Sequence, residues 1–267
     1  MRLGLGSYAY RWSIGIGDRI PLRPLTPADL ARRAHRHGLS VVQIADNLPL
    51  DRQSDMALDE LKVAARQVGV AIELGFSGLT SGRIHTYLDL AERLDARLIR
   101  ASPDAADSHR APEAIADEII GVEPRLESSG VKLAIENHFH LPSPMLRRIV
   151  EAVSSASVGV CLDVANSIAV GEWPAETIRV LAPFAFNLHL KDYRIEIDPY
   201  GVGLSFVGAP LGAGLTDIPG VLSVVAGRDC SVILEHWLPW AGSVEVSAAA
   251  EEEWLAIGVA AVRKVIG

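Results

Sequence analysis

The chain contains 267 residues, of which 49% are hydrophobic, and its formal net charge is −8. This length fits one domain, residues 1–267, with a sizeable core. The acidic balance disfavours the basic face that nucleic-acid-binding proteins usually present. No apolar run reaches the roughly 18 residues that a membrane-spanning helix needs, so we expect neither nucleic acid nor a membrane as a partner.

The amino-terminal segment and the cysteines both indicate a cytoplasmic protein. Residues 1–12 (MRLGLGSYAYRW) begin directly with a strand-like run and lack the charged region and long apolar region of a signal peptide. Cys161 and Cys230, the only two cysteines, lie inside apolar runs, which predicts buried and reduced thiols.

Strand-like runs alternate with helix-like stretches along the whole chain. The predicted strands lie near residues 2–7, 40–45, 70–75, 97–102, 131–136, 158–163, 185–190 and 231–236. The predicted helices lie near residues 27–37, 53–68, 81–94, 111–128, 142–155, 174–182, 217–226 and 247–265. Eight alternations predict a parallel sheet covered by helices, and an eightfold barrel takes about 250 residues. The predicted fold class is therefore α/β, a single-domain (β/α)8 TIM barrel.

A 25-residue connection, residues 192–216, separates the seventh and eighth βα units and contains five glycines. Connections beyond about 12–15 residues without structure of their own are usually functional or disordered. The sequence predicts that this segment is an irregular lid that shields a reactive intermediate from water.

Four polar residues each close a short apolar run near the predicted carboxyl end of a strand. They are Glu136 in VKLAIENH, Asp163 in VGVCLDVAN, His189 in AFNLHLKD and Glu235 in CSVILEHW. Side chains alternate along a strand, and in all four runs this alternation puts the branched aliphatic residues on the side opposite to the polar one. Because barrel active sites lie at the carboxyl ends of the strands, we expect the four polar side chains to converge there.

Three carboxylates and one imidazole without a thiolate form a set that suits Mn²⁺ best, with Mg²⁺, Co²⁺ and Zn²⁺ as alternatives. The predicted metal ligands are therefore Glu136, Asp163, His189 and Glu235. Three carboxylates leave a dication at −1, which favours a neutral polyol or carbonyl ligand, or a ligand that brings its own compensating contacts. Such an ion stabilises the negative charge of an enediolate, and Glu136 and Glu235 are the predicted catalytic bases that act on the two faces of a carbon.

These runs resemble the xylose-isomerase-like barrel superfamily of sugar-phosphate isomerases and epimerases. The matching segments are LAIENH (133–138), GVCLDVANS (159–167), NLHLKD (187–192), VILEHW (232–237) and the Gly-rich VGAPLGAGLTDIPGVL (207–222). The superfamily includes ketose 3-epimerases, hydroxypyruvate isomerase, inosose dehydratase and inosose isomerase. The resemblance implies that the four polar residues match the metal ligands, and that the two glutamates match the acid/base pair of the epimerases. Within PLGxG the family often has an acidic residue where this chain has Ala213.

Three functions follow as hypotheses. The first is a metal-dependent isomerase or epimerase that acts on a small sugar or keto-sugar through an enediolate. The second is a lyase, either a decarboxylase of a 3-oxo sugar acid or a dehydratase of an inosose-like substrate, because VVQIADNLPL (41–50) resembles a subgroup of sugar-acid catabolism. The third is a sugar-binding barrel without turnover. The superfamily also implies a homo-oligomer, a dimer or a tetramer.

Six further residues are candidates for substrate binding, and each has a structural alternative. They are His138, Lys191, Arg100, Asn166, Trp12 and Trp237. An inward Arg100 suits a substrate carboxylate or phosphate, although an ion pair with Glu73 or Glu136 would also explain it. Lys191 has the parity of His189 and could bind a carboxylate or face the rim. The two tryptophans could stack on a sugar face, although large aromatic residues are more often part of a core or interface.

Overall fold

The computed structural model describes residues 1–267 and contains a closed barrel of eight parallel strands. The barrel strands are β1 (Arg2–Gly6), β2 (Val41–Ile44), β3 (Ala71–Ser77), β4 (Leu98–Ser102), β5 (Lys132–Glu136), β6 (Val158–Asp163), β7 (Ala185–Leu190) and β10 (Ser231–Leu234). They follow one another around the barrel in the order β1-β10-β7-β6-β5-β4-β3-β2, and β1 pairs with β2 to close the ring. The predicted fold class is confirmed.

The helices surround the barrel, with two in the first connection, one in each later connection and one after the last barrel strand. They are α1 (Arg11–Ile14), α2 (Pro27–Arg36), α3 (Asp55–Val68), α4 (Ser81–Leu94), α5 (Pro112–Ser129), α6 (Ser143–Val153), α7 (Pro174–Leu181), α8 (Ile218–Ser223) and α9 (Val244–Ile266). The short α1 is the one that the sequence did not predict. None of these helices combines the length and the apolar composition that a membrane crossing requires.

Two capping residues show why the helices begin where they do. Thr26 and Asp29 exchange side-chain and backbone hydrogen bonds in a capping box, so that α2 begins at Pro27. Asp217 accepts a hydrogen bond from the backbone N–H of Gly220 and thereby caps α8.

Two separate hydrophobic clusters distinguish the two faces of the strands as the alternation predicts. The large core between strands and helices contains the aliphatic residues that flank the polar ones, including Ile135, Leu162 and Leu188. Ala134 and Cys161 instead form a small cluster with Leu98 inside the barrel. Ala134 and Cys161 therefore point into the barrel interior. Glu136, Asp163 and His189 have this same inward parity and lie together at one end of the barrel.

The long connection after β7 is more regular than the sequence suggested. Its residues form an antiparallel hairpin outside the barrel, with β8 (Asp192–Ile197) paired to β9 (Leu204–Ala209). The alternating runs DYRIEI and LSFVGA on either side of a glycine-containing turn are a typical hairpin pattern. The expectation of a connection without regular structure was wrong, because its two alternating runs pair with each other outside the barrel. That this segment acts as a lid stays a prediction.

The loop that follows the hairpin is organised by Asp192. Its carboxylate accepts hydrogen bonds from the backbone N–H groups of Gly212, Gly214 and Thr216, each at 2.9 Å. A Cβ atom at Gly214 would lie 2.3 Å from Oδ1 of Asp192, so only glycine fits against this carboxylate. The close contact with Asp192 therefore explains why position 214 of the Gly-rich segment is a glycine.

Candidate metal centre

The carboxylates of Glu136, Asp163 and Glu235 converge on Nδ1 of His189, the fourth of the polar residues that close the apolar runs. Oε1 of Glu136 lies 3.1 Å from this nitrogen, Oε2 of Glu235 lies 3.5 Å from it, and Oδ2 of Asp163 lies 3.9 Å from it. Glu136, Asp163 and His189 end β5 and β6 or lie near the end of β7, and Glu235 directly follows β10. All four side chains are buried.

Gln43 on β2 sets the orientation of the His189 ring. Its amide nitrogen donates hydrogen bonds to Glu73 and Asn187, both at 3.1 Å, so its amide oxygen is the atom left to accept. That oxygen, Oε1, lies 2.6 Å from Nε2 of His189. The network therefore assigns the proton of a neutral imidazole to Nε2, and the lone pair of Nδ1 points at the three carboxylates.

Asp163 divides its two oxygens between the backbone and the centre. Oδ1 accepts hydrogen bonds from the backbone N–H groups of Ala165 and Asn166, both at 2.8 Å. The side chain of Asn137 binds the backbone of Asp163 twice. Its Oδ1 accepts a hydrogen bond from the N–H of Asp163, and its Nδ2 donates one to the carbonyl oxygen of Asp163. Oδ2 points into the centre, where its only partner is the ammonium group of Lys191, at 2.7 Å.

The donor atoms of this cluster fit a divalent cation. Nδ1 of His189 and Oε1 of Glu235 are buried and have no hydrogen-bond partner, and the only partner of Oδ2 of Asp163 is the ammonium group of Lys191, at 2.7 Å. A buried polar atom without a partner is costly, and three carboxylates around an imidazole lone pair repel one another unless a cation lies between them. Asp163, His189 and Glu235 offer ligand atoms that all lie within 4.8 Å of one another, as do Glu136, Cys161 and His189.

Cys161 is a neighbour of the centre that the sequence did not place there. Burial raises the pKa of its thiol well above the usual value, and Sγ donates to Oδ1 of Asn187 at 2.9 Å. A protonated thiol is a poor ligand, since metals bind the thiolate. The oxygen and nitrogen set remains the better candidate, and it suits hard or intermediate dications.

Arg100 is buried beneath Glu136 and forms an ion pair with it. Its other terminal nitrogen, Nη1, lies 2.6 Å from Oδ1 of Asp46, whose Oδ2 accepts a hydrogen bond from Tyr8. Burial alone would raise the pKa of Glu136, but the Arg100 guanidinium and His189 hold it well below its usual value. Of the alternatives for Arg100, the ion pair with Glu136 is the one present, and Asp46 is an additional partner.

Lys191 adds a positive charge at the same level as the ligands. Its Nζ atom lies 2.7 Å from Oδ2 of Asp163, 3.0 Å from Oε2 of Glu235 and 3.4 Å from Oδ1 of Asn166. Burial would lower the pKa of this lysine, but the adjacent Asp163 and Glu235 carboxylates raise it above its usual value. Lys191 is therefore an ammonium ion at neutral pH.

A cavity of about 240 Å³ opens above the centre. The predicted site residues that line it are Glu136, Glu235, Arg100, His138, Asn166, Lys191 and Trp237. Tyr8, Arg11, Phe139 and His236 complete the lining and were not among the predicted site residues. A larger cavity of about 440 Å³ lies at the opposite end of the barrel, between α4 and α5. Amino-terminal ends of barrel strands are usually associated with stability, so the smaller cavity is the candidate site.

Trp12 lies outside this lining. Its indole N–H donates to the carbonyl oxygen of Leu238 at 3.0 Å, and its ring packs against Trp240 with a centroid distance of 5.0 Å. Its ring also lies beneath the guanidinium of Arg11, 4.7 Å from the ring centroid. Trp237, by contrast, is at the cavity wall, 5.3 Å from Nζ of Lys191.

Two positioning residues, Gln43 and Asn137, had a weak signal in the sequence. Gln43 is a polar residue in the middle of the apolar run VVQIA, and its parity places it inside the barrel. Asn137 follows Glu136 directly and has the opposite parity, so alternation alone would direct it away from the site. Their roles depend on partners 146 and 26 residues away along the chain.

Comparison with known proteins assigns the fold to a family. A family model described as the xylose isomerase-like TIM barrel matches residues 14–264. The chain belongs to this family. The resemblance found in the sequence is thereby confirmed.

Three similar proteins extend this comparison. The 3-oxo-isoapionate decarboxylase of Pectobacterium atrosepticum is 32% identical over 260 residues, which cover 95% of this chain and 92% of that protein. The crystal structure of D-psicose 3-epimerase with D-tagatose from Clostridium cellulolyticum has a TM-score of 0.71 at 19% identity, and the match covers 100% of this chain and 98% of that one. The structure of the IOLI protein with a zinc atom has a TM-score of 0.67 at 19% identity, with 99% of both chains covered. The two structures share the fold with this chain.

Proposed function

We propose that this protein is a divalent-metal-dependent enzyme that removes CO₂ from a small 3-oxo sugar acid. Glu136, Asp163, His189 and Glu235 would hold the metal, since the three carboxylates face Nδ1 of His189. A bound dication supplies Lewis-acid stabilisation of negative charge on substrate oxygens. Manganese is the ion that the donor set favours, with magnesium, cobalt or zinc as alternatives.

The decarboxylase relative supports this choice among the candidate reactions. Its match extends over nearly the whole of both chains at 32% identity. A 3-oxo acid loses CO₂ readily, because the electron pair of the broken C–C bond passes into the neighbouring carbonyl group as an enolate. The enolate then takes up one proton at the carbon that carried the carboxylate. This reaction needs a site that stabilises an oxyanion and does not need a strong base.

The contacts of Glu136 agree with that requirement. Arg100 forms an ion pair with Oε2 of Glu136, and Asn166 donates to its Oε1 at 3.1 Å. A carboxylate that interacts with donors at both oxygens is a weak base. Lys191 stays protonated and can stabilise negative charge on a substrate oxygen at the cavity floor.

The charge around the cavity is the observation that carries the choice of an acidic substrate. The carboxylates of Asp46, Glu136, Asp163 and Glu235 face three basic side chains, Arg11, Arg100 and Lys191. With a dication in the centre, the net charge becomes +1. The three ligand carboxylates alone had favoured a neutral ligand, whereas the full set of side chains favours an anionic sugar acid.

The second candidate is the isomerase or epimerase predicted first from the sequence. The observation that favours it is the approach of Glu136 and Glu235 to the same His189 nitrogen from different strands, at 3.1 and 3.5 Å. Two carboxylates on different sides of a bound carbon could remove and return a proton on its two faces. The non-catalytic sugar-binding barrel has no such supporting contact.

The test is a panel of 3-oxo sugar acids and ketoses incubated with the protein and Mn²⁺ in D₂O and followed by NMR. We expect release of CO₂ from a 3-oxo sugar acid, with one deuterium on the carbon that carried the carboxylate. Epimerised ketose with solvent deuterium and no CO₂ would favour the second candidate. Ligand-induced melting shifts without turnover of any compound would support the third hypothesis, a sugar-binding barrel without turnover.

Glu136→Gln is the informative variant for this assay. We expect loss of turnover, because Glu136 contributes a ligand charge and pairs with Arg100. Glu127→Gln, at an exposed position on α5, is the matched control. Near-native turnover of Glu136→Gln would remove this residue from the catalytic site.

A further inference from the structure

Arg11 differs from the other basic residues that line the cavity. Arg100 forms ion pairs with Glu136 and Asp46, and Lys191 forms ion pairs with Asp163 and Glu235. The guanidinium of Arg11 has no carboxylate partner, and its Nε atom is buried without a hydrogen bond. A buried N–H group without a partner is rare in folded proteins. Arg11 is therefore a cation in the cavity lining that no carboxylate of the protein neutralises.

The segment that carries Arg11 is fixed to the rest of the protein. Glu251 on α9 is buried and accepts hydrogen bonds from the backbone N–H groups of Trp12 and Ser13, at 2.6 and 3.0 Å. The Trp12 indole is held by the Leu238 carbonyl and supports the Arg11 guanidinium from below. A cation over an aromatic ring is held there by attraction to the ring face. The guanidinium is consequently preorganised and loses little freedom when it binds an anion.

His138 follows β5, which lies across the barrel from β1, so it lines a different side of the cavity from Arg11. It lies two residues after Glu136, lines the cavity, and has a buried Nδ1 atom without a hydrogen-bond partner. Its ring packs against Phe139 with a centroid distance of 4.4 Å. Of these two residues, Arg11 is the permanent cation, and it belongs neither to the predicted metal ligands nor to an ion pair.

We propose that Arg11 forms the subsite for the carboxylate of the substrate and is the residue that selects a sugar acid over a neutral sugar. This inference rests on the proposed sugar-acid substrate. The planar guanidinium can bind a carboxylate through two parallel hydrogen bonds, which fixes its orientation relative to the metal ligands. When the carboxylate leaves as neutral CO₂, the ion pair is lost, so the site retains the substrate and releases the product.

The test is calorimetric binding of D-xylonate and of xylitol, its neutral five-carbon counterpart, to the Mn²⁺-loaded protein. A protein-free titration corrects for the binding of xylonate to Mn²⁺. We expect wild-type protein to bind xylonate more tightly than xylitol. Arg11→Met should weaken xylonate binding roughly 10- to 100-fold, the range of a charged hydrogen-bonded contact, and leave xylitol binding within about twofold. Arg11→Lys should recover part of the loss.

Arg19→Met is the matched control, because Arg19 also lies over the Trp12 ring, at 5.6 Å, but does not line the cavity. We expect its xylonate affinity to equal that of the wild type. Equal loss for both ligands in Arg11→Met, or no preference of the wild type for xylonate, would overturn the subsite. Binding is measured without turnover, so failure of the decarboxylation assay leaves this result interpretable. Conversely, if the wild type releases CO₂ and Arg11→Met binds xylonate with unchanged affinity, only the role of Arg11 is refuted and the proposed function stands.

Discussion

The hydrogen bond between Nε2 of His189 and Oε1 of Gln43 crosses the barrel interior and decides which ring nitrogen faces the carboxylates. The two residues lie on β7 and β2, which are separated by two strands, β10 and β1, around the ring. Gln43 is held in turn by Glu73 and Asn187 on the interior floor. A partner of this kind fixes the tautomer of a ligand histidine and thereby supports its affinity for a metal.

Gln43→Met should therefore weaken metal binding without removing a ligand. Methionine has a similar length but offers no strong acceptor to Nε2 of His189, so the ring is free to rotate. We expect Mn²⁺ affinity to fall about 10- to 100-fold, as for other partners of metal ligands. Calorimetric titration of the metal-free protein with Mn²⁺ measures this change. Gln67→Met, at an exposed position on α3, is the control, and an unaltered affinity in Gln43→Met would contradict the role of Gln43.

Metal binding should also stabilise the fold, since the ligands are buried in the folded state and dispersed in the unfolded one. At a free Mn²⁺ concentration about 1,000 times the dissociation constant, the gain is about 4 kcal/mol. For a chain of this size that corresponds to a rise of roughly 10 °C in melting temperature. Asp163→Asn removes one ligand charge and should remove most of this rise. Asp229→Asn, an exposed position just before β10, should retain it, and an equal rise in both variants would contradict the proposed ligand set.

Local sequence was sufficient to predict that the proposed metal ligands share one face, but not which residues hold them in place. Strand parity placed Glu136, Asp163 and His189 on one face, because alternation along a strand is a property of the strand itself. The ion pair of Arg100 with Asp46 joins residues 54 positions apart, and it depends on how β2 and β4 are oriented in the closed barrel. No periodicity within either segment contains that information.

The hairpin and the position of Trp12 were likewise not predicted from the local sequence. The alternating residues of β8 and β9 were visible in the sequence, but a parallel barrel has no place for an antiparallel pair, so the expected architecture obscured them. Trp12 was expected at a sugar face because aromatic rings often serve there. In the folded chain it packs instead under Arg11, a contact between neighbours that depends on the unpredicted helix α1.

Asp192 should determine the order of the loop that follows the hairpin. Its two oxygens accept four backbone hydrogen bonds, from Tyr193, Gly212, Gly214 and Thr216. Asp192→Asn places an NH₂ group opposite some of these donors, so we expect a loss of about 1–3 kcal/mol of stability. Limited proteolysis should show faster cleavage between residues 210 and 216. Asp198→Asn, in the exposed turn of the hairpin, is the control, and equal cleavage of the two variants would contradict this role.

Glu251 should make the stability of the protein depend on pH. Burial raises the pKa of this carboxyl to about 7, although Ser13 and Trp12 donate hydrogen bonds that lower it. In the unfolded chain a glutamate has a pKa of about 4.3. Between these two values the folded protein binds a proton that the unfolded chain does not. The contribution of Glu251 is therefore fully present below about pH 4 and is lost as pH rises towards 7, by up to about 1.4 kcal/mol per pH unit.

Urea unfolding of the wild type and Glu251→Gln at pH 5, 6, 7 and 8 measures this contribution. Glutamine does not titrate, so the difference between wild type and variant isolates Glu251. We expect the free energy of unfolding of the wild type to fall, relative to that of Glu251→Gln, by roughly 2–3 kcal/mol from pH 5 to pH 8. Glu253→Gln, at an exposed position on the same helix, is the matched control. Parallel pH profiles for the wild type and Glu251→Gln would mean that the carboxyl does not change its protonation in the folded protein over this range.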